Sequence, residues 1–213
     1  MSFLTKIKDI VFGFFDFFYE KKLRKQLKTR EFSLITSNCM AGWIYHRLGV
    51  EFQSPTINQF MSDKDFFKFI FNLDYYLNIE LKDNGSDGKY PLGILGDIPI
   101  EFTHYSSAQE AISAWERRKK RLNPEKMYFI LFDTIDGEIS KEDILKFGTI
   151  KCANKIVLST KSYPDIDYVK TIPIRKNDIN RHYMNRNIFG RRRFEGKWDF
   201  VKWINDGITK RNF

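Results

Sequence analysis

Short apolar segments alternate with helical patterns along the middle of this chain, and this alternation restricts its possible folds more than any other feature. The segments 32–35, 127–132 and 155–159 are short and apolar, which predicts buried strands. The helical patterns that separate them span residues 40–48, 108–122 and 141–147. Strands that alternate with helices favour a parallel sheet with both faces covered. The sequence therefore predicts a three-layer α/β fold with a mostly parallel sheet.

The net charge of the chain, +9, is concentrated at its two ends. Residues 1–30 carry 8 Lys and Arg against 3 Asp and Glu, and residues 175–213 carry 11 against 4, whereas residues 31–174 carry 17 against 20. The length of 213 residues suits one core domain. We therefore divide the chain into an N-terminal helix (1–30), an α/β core (31–174) and a basic C-terminal tail (175–213). We expect the tail to hold a short helix, residues 198–205, and to pack on the core.

Residues 3–29 form one long amphipathic helical pattern that is rich in phenylalanine and is followed by lysine and arginine. The apolar part, residues 10–19, is shorter than the roughly 20 residues that a membrane-spanning helix needs. A phenylalanine stripe with a basic flank is typical of a helix that lies on a membrane surface. The same pattern also fits a helix that packs on its own domain or on a second subunit.

Cys39 stands in a polar turn between the first predicted strand and a helix. Such turns line the ligand crevice of α/β folds, and a thiol there can have a lowered pKa. His104 follows another predicted strand, 98–103, so parallel neighbouring strands would bring Cys39 and His104 together as a nucleophile and its base. His46 is a poorer partner, because helix rise places it about 10 Å away. Alternatively, Cys39 is a small buried hydrophobe and His104 a structural residue.

Asp133 and Asp136 follow the strongest predicted strand, and two carboxylates at this spacing can hold Mg²⁺ under a nucleotide diphosphate. A plain Asp-Gly turn explains the same residues, and we favour it. The chain has no Walker loop, dinucleotide-binding fingerprint or Cys-x-x-Cys pair, so we predict no metal site and leave the cofactor unknown. The basic runs 117–121 and 191–193 accompany no nucleic-acid motif, so we predict no nucleic-acid partner.

Several segments match one bacterial family by their order and number, over residues 33–165. They are Ser37-Asn38-Cys39 with Gly42 and Tyr45-His46, residues 54–58, 66–73, 76–77 and 90–93, His104-Tyr105, and Ala111 with residues 115–118 and 121–123. The chain thereby resembles the family labelled domain of unknown function 1919 or exopolysaccharide biosynthesis protein, although Met40-Ala41-Gly42 replaces an aromatic residue and two glycines. The resemblance implies a cytoplasmic α/β protein encoded among capsule or exopolysaccharide genes, and it implies no established reaction.

From the residues and the resemblance together we expect a transferase of capsule or exopolysaccharide biosynthesis that acts on a sugar or a nucleotide-activated sugar. For acyl transfer, the catalytic residues would be Cys39 and His104. The substrate-binding candidates are Ser37, Asn38, Gly42, His46, Tyr105, Arg117 and Arg121, with Arg118 beside them. The alternative is a non-catalytic protein that docks the polysaccharide enzymes at the inner face of the membrane through residues 3–29. Two cysteines and no signal-peptide pattern favour the cytoplasm, and both interpretations allow a homo-oligomer.

Overall fold

A computed structural model describes residues 3–133, 139–152, 154–172 and 191–209, with side chains from residue 12 to residue 207 within these ranges. The helices are α1 (Phe3–Gln26), α2 (Met40–Leu48), α3 (Asp63–Phe71), α4 (Leu73–Asn78), α5 (Ala108–Lys119), α6 (Lys141–Gly148) and α7 (Phe200–Thr209). The strands are β1 (Ser33–Thr36), β2 (Leu81–Ser86), β3 (Pro91–Leu95), β4 (Ile98–Glu101), β5 (Met127–Asp133), β6 (Lys155–Ser159) and β7 (Val169–Thr171). Asp136, one of the two carboxylates that the sequence singles out, and most of the basic tail lie outside the described residues.

The main sheet is parallel, as the alternation of strands and helices predicts. Its four strands lie in the order β1-β5-β6-β7, and every neighbouring pair is parallel. Central strand β5 is buried from Tyr128 onwards, because helices cover both faces of the sheet. The carboxyl ends of β1, β5 and β6 therefore meet at one edge of the sheet.

Strand β4 is not a neighbour of β1, which corrects the arrangement expected for Cys39 and His104. It belongs to a second, antiparallel sheet in the order β2-β3-β4. The reason is local: β3 and β4 pair from Leu95 with Ile98, and the intervening turn contains Gly96 at φ 64. A two-residue connection with positive φ makes an antiparallel hairpin, whereas parallel strands need a long crossover.

The alternation of side chains along the parallel strands divides the core into two parts. Leu34, Tyr128 and Ile130 face α2, α7 and the end of α1. Ile35, Phe129 and others on the opposite face pack against α3, α5, α6 and the antiparallel sheet. Successive strand residues point to opposite faces, so both faces of the sheet are covered and the molecule has three layers.

Both terminal segments pack on the same face of the parallel sheet. Helix α1 docks through Leu23, which is buried, and α7 docks through Phe200, Val201 and Ile204. The predicted tail helix, residues 198–205, begins two residues later than expected, at Phe200. Asp199 directly precedes α7, and its carboxylate accepts a hydrogen bond from the main-chain N–H of Lys202. Among the described residues, no helix is both long and apolar enough to cross a membrane.

Candidate functional site

The turn after β1 is held in shape by its own side chains. The Oδ1 of Asn38 accepts hydrogen bonds from the main-chain N–H of Met40 at 3.0 Å and from the hydroxyl of Thr36 at 3.3 Å. The main-chain carbonyl of Ser37 accepts a hydrogen bond from the N–H of Met61. Cys39 then occupies the N-cap of α2 without a side-chain cap. The turn is thus rigid, and it presents a half-buried thiol at the carboxyl edge of the parallel sheet.

The thiol of Cys39 meets the end of the second sheet. Its Sγ lies 3.5 Å from the Oγ1 of Thr103, and Thr103 in turn donates to the main-chain carbonyl of Asn58. His104 follows Thr103 directly in the chain and is exposed. The two sheets therefore bring Cys39 close to the neighbour of His104, although their strands do not pair. Thr103 belongs to no recognisable motif, and its position before His104 is its only signal in the sequence.

The loop 54–58 lies against one side of this turn. The loop can approach α2 closely because residue 42 is a glycine. A Cβ on Gly42 would lie 2.9 Å from Asn58 Oδ1 and 3.0 Å from Ile57 Cγ2, closer than packed side chains permit. Asn58 itself has a positive φ of 64°, which asparagine tolerates better than most residues. Gly42 is thus required for the close packing of α2 against this loop.

Tyr105 and Arg118 hold the same loop from the other side. Arg118 is 7% exposed, and it donates to the main-chain carbonyl of Ile57 and to the hydroxyl of Tyr105. The hydroxyl of Tyr105 also donates to the carbonyl of Ile57. The guanidinium of Arg118 lies over the rings of Phe52 and Tyr105. Burial lowers the pKa of Arg118 and raises the pKa of Tyr105. These contacts make Arg118 a buried structural group.

The other predicted contacts are spread over the surface. Arg117 is exposed on α5, and Arg121 forms an ion pair with Glu51 at 2.7 Å. His46 is exposed on the last turn of α2. The structure thus brings together Ser37, Asn38, Cys39, Gly42 and Tyr105, with His104 adjoining them. Within the part of the chain that the structure describes, the side chains of His46, Arg117 and Arg121 form no hydrogen bond or ion pair with that group.

A second polar cluster lies at the same sheet edge, around Asp133 at the end of β5. The buried carboxylate accepts hydrogen bonds from Ser159 at 2.6 Å and from Tyr163 at 3.2 Å. Lys161 forms an ion pair with it at 3.2 Å. Burial raises the pKa of Tyr163, and the charge of Asp133 adds to this effect. With three donors, the carboxylate is well satisfied. No group of three or more potential ligands for a metal ion occurs within the described residues.

Helix α1 carries an exposed aromatic surface that the domain does not cover. We call Phe14, Phe15, Phe17 and Phe18 the Phe patch; their exposed fractions are 61%, 48%, 60% and 53%. At 3.6 residues per turn these four side chains fall within an arc of about 160° around the helix. Lys21, Lys22 and Lys25 are exposed and fall within the same arc, one or two turns further along. The opposite side of α1 contacts the core.

The attachment of α1 to the core centres on Arg47 of α2. Its guanidinium pairs with Asp16 at 2.8 Å, with Glu20 at 3.2 Å and with the fully buried Glu195 carboxylate at 3.2 Å. Burial raises the pKa of Glu195, while the hydrogen bonds and charge of Arg47 oppose that increase. Helix α1, helix α2 and the C-terminal segment thus share one cation, which fixes the direction in which the Phe patch points.

These features define an α/β protein with a parallel sheet, a polar turn with a thiol at its carboxyl edge and an exposed amphipathic helix. The chain belongs to the family described as Domain of unknown function (DUF1919), whose model matches residues 11–205. It is also similar to an "Uncharacterized protein" of Haemophilus influenzae (strain ATCC 51907 / DSM 11121 / KW20 / Rd). The two are 30% identical over 208 residues, which cover 96% of this chain and 99% of the relative.

Proposed function

We propose that this protein is a cytoplasmic transferase of bacterial capsule or exopolysaccharide biosynthesis, which acts on a sugar or an activated sugar. The observation that supports a reaction site is the convergence of Cys39, Thr103 and Tyr105 at the carboxyl end of β1. In α/β folds this edge of the sheet is where ligands bind.

The version of the reaction that these residues support is acyl transfer through Cys39. The hydroxyl of Thr103, 3.5 Å from Sγ, can turn its single hydrogen from the carbonyl of Asn58 to a thiolate and stabilise it. His104 takes the thiol proton as the thiolate attacks the carbonyl carbon of an acyl thioester. The new Sγ–C bond replaces the donor's C–S bond, and the donor thiol leaves with the proton. A sugar hydroxyl then attacks the acyl group, so a sugar ester forms and the Cys39 thiol is restored.

Acetyl coenzyme A, a simple acyl thioester, tests this step directly. We expect the intact protein to gain the mass of one acetyl group, which hydroxylamine removes, on the peptide that contains Cys39. Cys39→Ser should abolish the adduct, and His104→Gln should slow it by about 100-fold. Cys152→Ser is the matched control, because Cys152 is the other half-buried thiol and donates to the carbonyl of Met127.

Two results would reject the transferase proposal. An adduct that persists in Cys39→Ser would show chemical acylation elsewhere in the chain. If the protein forms no adduct, a nucleotide-activated sugar such as UDP-glucose should at least raise the melting temperature, because a ligand that binds only the folded state stabilises it. Absence of both the adduct and the temperature shift contradicts the proposal.

The Phe patch supports a second candidate function, the docking of the polysaccharide machinery at the inner face of the membrane. Four half-exposed phenylalanines in one arc form an apolar surface that water covers unfavourably. The lysines that continue the same arc complement anionic phospholipid headgroups. The patch thus has the apolar insertion surface and the basic flank of a helix that lies in a membrane interface. In this proposal the protein holds its partners there without catalysis.

Sedimentation with phosphatidylglycerol vesicles tests the docking function. Exchange of the four Phe patch residues for Ser should weaken binding by more than about tenfold, because each phenylalanine loses its burial in lipid. Lys21→Ala, Lys22→Ala and Lys25→Ala together should weaken binding at low salt and reduce its salt dependence. Tyr75→Ser, which alters an aromatic residue with 59% exposure on α4, is the control and should bind normally.

Equal binding by the Phe patch variant and the parent would exclude membrane docking through α1. Size-exclusion chromatography tests the other possible partner of the Phe patch, which is a second copy of the chain. If the parent is a dimer and the Phe patch variant is a monomer, the patch is a protein interface and the membrane proposal fails.

A further inference from the structure

A cleft of about 490 Å³ lies between α7 and the strands β6 and β7. Asn154 and Lys155 line it at the start of β6, and Asp167 and Tyr168 line it just before β7. The other wall comes from the segment 197–207, which includes Trp198 and Trp203. The cleft is thus at the amino ends of the parallel strands, whereas Cys39 is at their carboxyl ends. It has the size of a site for a small organic ligand.

Two residues of this cleft contain polar atoms that lack a partner. Asn154 is 3% exposed and Trp198 is 4% exposed. The Nδ2 of Asn154 and the Nε1 of Trp198 have no hydrogen-bond acceptor among the residues that the structure describes. Buried donors without acceptors are rare because each loses its hydrogen bond to water. Both atoms lie beneath the surface of the cleft, so they add to the polarity of its wall and do not contact a ligand directly.

Both lysines and aspartates line the cleft, and their charges restrict the class of ligand that it can bind. Lys170 and Lys197 are exposed and form no ion pair with the described part of the chain. Three carboxylates, those of Asp167, Asp199 and Asp206, line the same cleft, and Lys202 neutralises Asp206 through an ion pair. Asp167 and Asp199 form no ion pair within the described residues. Ammonium groups next to carboxylates suit a ligand with several hydroxyl groups and one acidic group.

The aromatic side chains of the cleft are held in fixed orientations. The ring of Trp203 is 4.9 Å from the ring of Tyr128 and 5.1 Å from that of Trp198, both edge to face. Trp203 and Tyr168 are each partly exposed in the cleft. A rigid aromatic surface loses little conformational entropy when a ligand covers it, so it is suited to bind the C–H face of a sugar ring.

We propose that this cleft binds an acidic saccharide, a sugar that carries one carboxylate or one phosphate. Its acidic group would lie at Lys170 and Lys197, and its hydroxyl groups would pair with the carboxylates of Asp167 and Asp199. The site is separate from the Cys39 cluster and from the Phe patch. The inference therefore does not depend on the transferase or the docking proposal.

Isothermal titration calorimetry of the full chain tests the site with glucuronic acid, glucose 1-phosphate, glucose, inorganic phosphate and UMP. We expect the two acidic sugars to bind at least about tenfold more tightly than glucose or phosphate alone. Lys170→Ala with Lys197→Ala should remove that advantage and leave the weak binding of glucose unchanged. Lys64→Ala with Lys120→Ala changes the net charge equally at exposed positions away from the cleft, and it should bind as the parent does.

The comparison of the two acidic sugars shows whether the site prefers a carboxylate or a phosphate. Tighter binding of glucuronic acid identifies a carboxylated sugar as the ligand class, and tighter binding of glucose 1-phosphate identifies a phosphorylated one. The proposal is overturned if neither binds at millimolar concentration, if the control double variant loses as much affinity as the cleft variant, or if UMP binds more tightly than both sugars. Cys39→Ser should not alter the titrations, so failure here is distinguishable from failure of the transferase proposal.

Discussion

The Sγ of Cys39 lies 3.5 Å from the Oγ1 of Thr103, and this contact joins the parallel sheet to the antiparallel sheet. Cys39 follows β1 and Thr103 follows β4. The two residues are 64 positions apart in the chain. Asn58, which accepts from Thr103, links both to the loop between α2 and α3. The candidate site is therefore an interface between two sheets, and its geometry depends on how closely that loop packs on α2.

Gly42→Ala tests this dependence. The new Cβ would lie 2.9 Å from Asn58 Oδ1, so α2 and the loop must separate. We expect a loss of about 1–3 kcal/mol in the free energy of unfolding, measured by urea denaturation. Gly13→Ala is the control, because a Cβ there meets nothing within 4 Å. It should leave stability unchanged or raise it slightly, and an equal loss in both variants would contradict the packing explanation.

Tyr45→Phe tests the buried hydroxyl that ties α2 to β1. The hydroxyl of Tyr45 donates to the carbonyl of Phe32 at 2.7 Å and accepts from the N–H of Leu34 at 3.0 Å. Its removal leaves both main-chain groups buried without that partner, so we expect a loss of about 1–3 kcal/mol in thermal or urea denaturation. Tyr75→Phe, at an exposed position, should cost nothing measurable. If Tyr45→Phe leaves the free energy of unfolding unchanged, these hydrogen bonds contribute no net stability.

Arg47→Met tests the shared cation beneath α1. The substitution keeps an unbranched side chain but removes the guanidinium, which leaves the Glu195 carboxylate buried without its partner at 3.2 Å. We expect a loss of about 3–5 kcal/mol in the free energy of unfolding. Glu195→Gln in the same chain should recover part of that loss, because it removes the uncompensated charge. If the losses of unfolding free energy from Arg47→Met and Glu195→Gln simply add in the double variant, the Arg47–Glu195 pair is not the source of the loss in Arg47→Met.

Asp143→Ala tests the N-terminal cap of α6 and its pH dependence. The Asp143 carboxylate accepts from the hydroxyl and the main-chain N–H of Ser140, and these hydrogen bonds lower its pKa. A depressed folded-state pKa stabilises the fold above the unfolded value of about 3.9, and this stability is lost as the pH falls through the folded pKa.

The parent should therefore exceed Asp143→Ala in stability by about 1 kcal/mol at neutral pH, with the difference shrinking at acidic pH. Glu142→Ala, a neighbouring exposed change in the first turn, is the control for net charge. A difference between parent and Asp143→Ala that does not depend on pH would contradict the role of the carboxylate.

Much of the fold could be predicted because its signals are local. The apolar segment 127–132 predicts a buried strand, and the structure confirms it as β5. The sequence does not predict β2, since residues 83–86 have the composition of a loop. The segment Leu81–Ser86 pairs with β3 as a mostly exposed strand with an irregular register between Asp83 and Ser86. Exposed strands have little hydrophobic pattern, so periodicity does not detect them.

The candidate site was predicted only in part, because its residues come from separate elements. The turn at Ser37–Cys39 could be placed at a strand end from the sequence alone. Its partner Thr103 could not, since the contact depends on how two sheets pack. Arg118 looked like an anion contact in a basic run, but it is buried under Phe52 and Tyr105. Burial is a property of the assembled domain, which a run of charges does not reveal.

The sequence by itself determined the alternation of the parallel strands with helices, the parallel sheet and the amphipathic character of α1, because side-chain periodicity acts over a few residues. Only the tertiary structure decided which sheet β4 joins and what Cys39 contacts. It also decided that the Phe patch faces outward while Leu23 faces the core. These outcomes depend on contacts between distant segments, such as the ion pairs of Arg47 with Asp16 and Glu195, whose geometry exists only after the layers have packed.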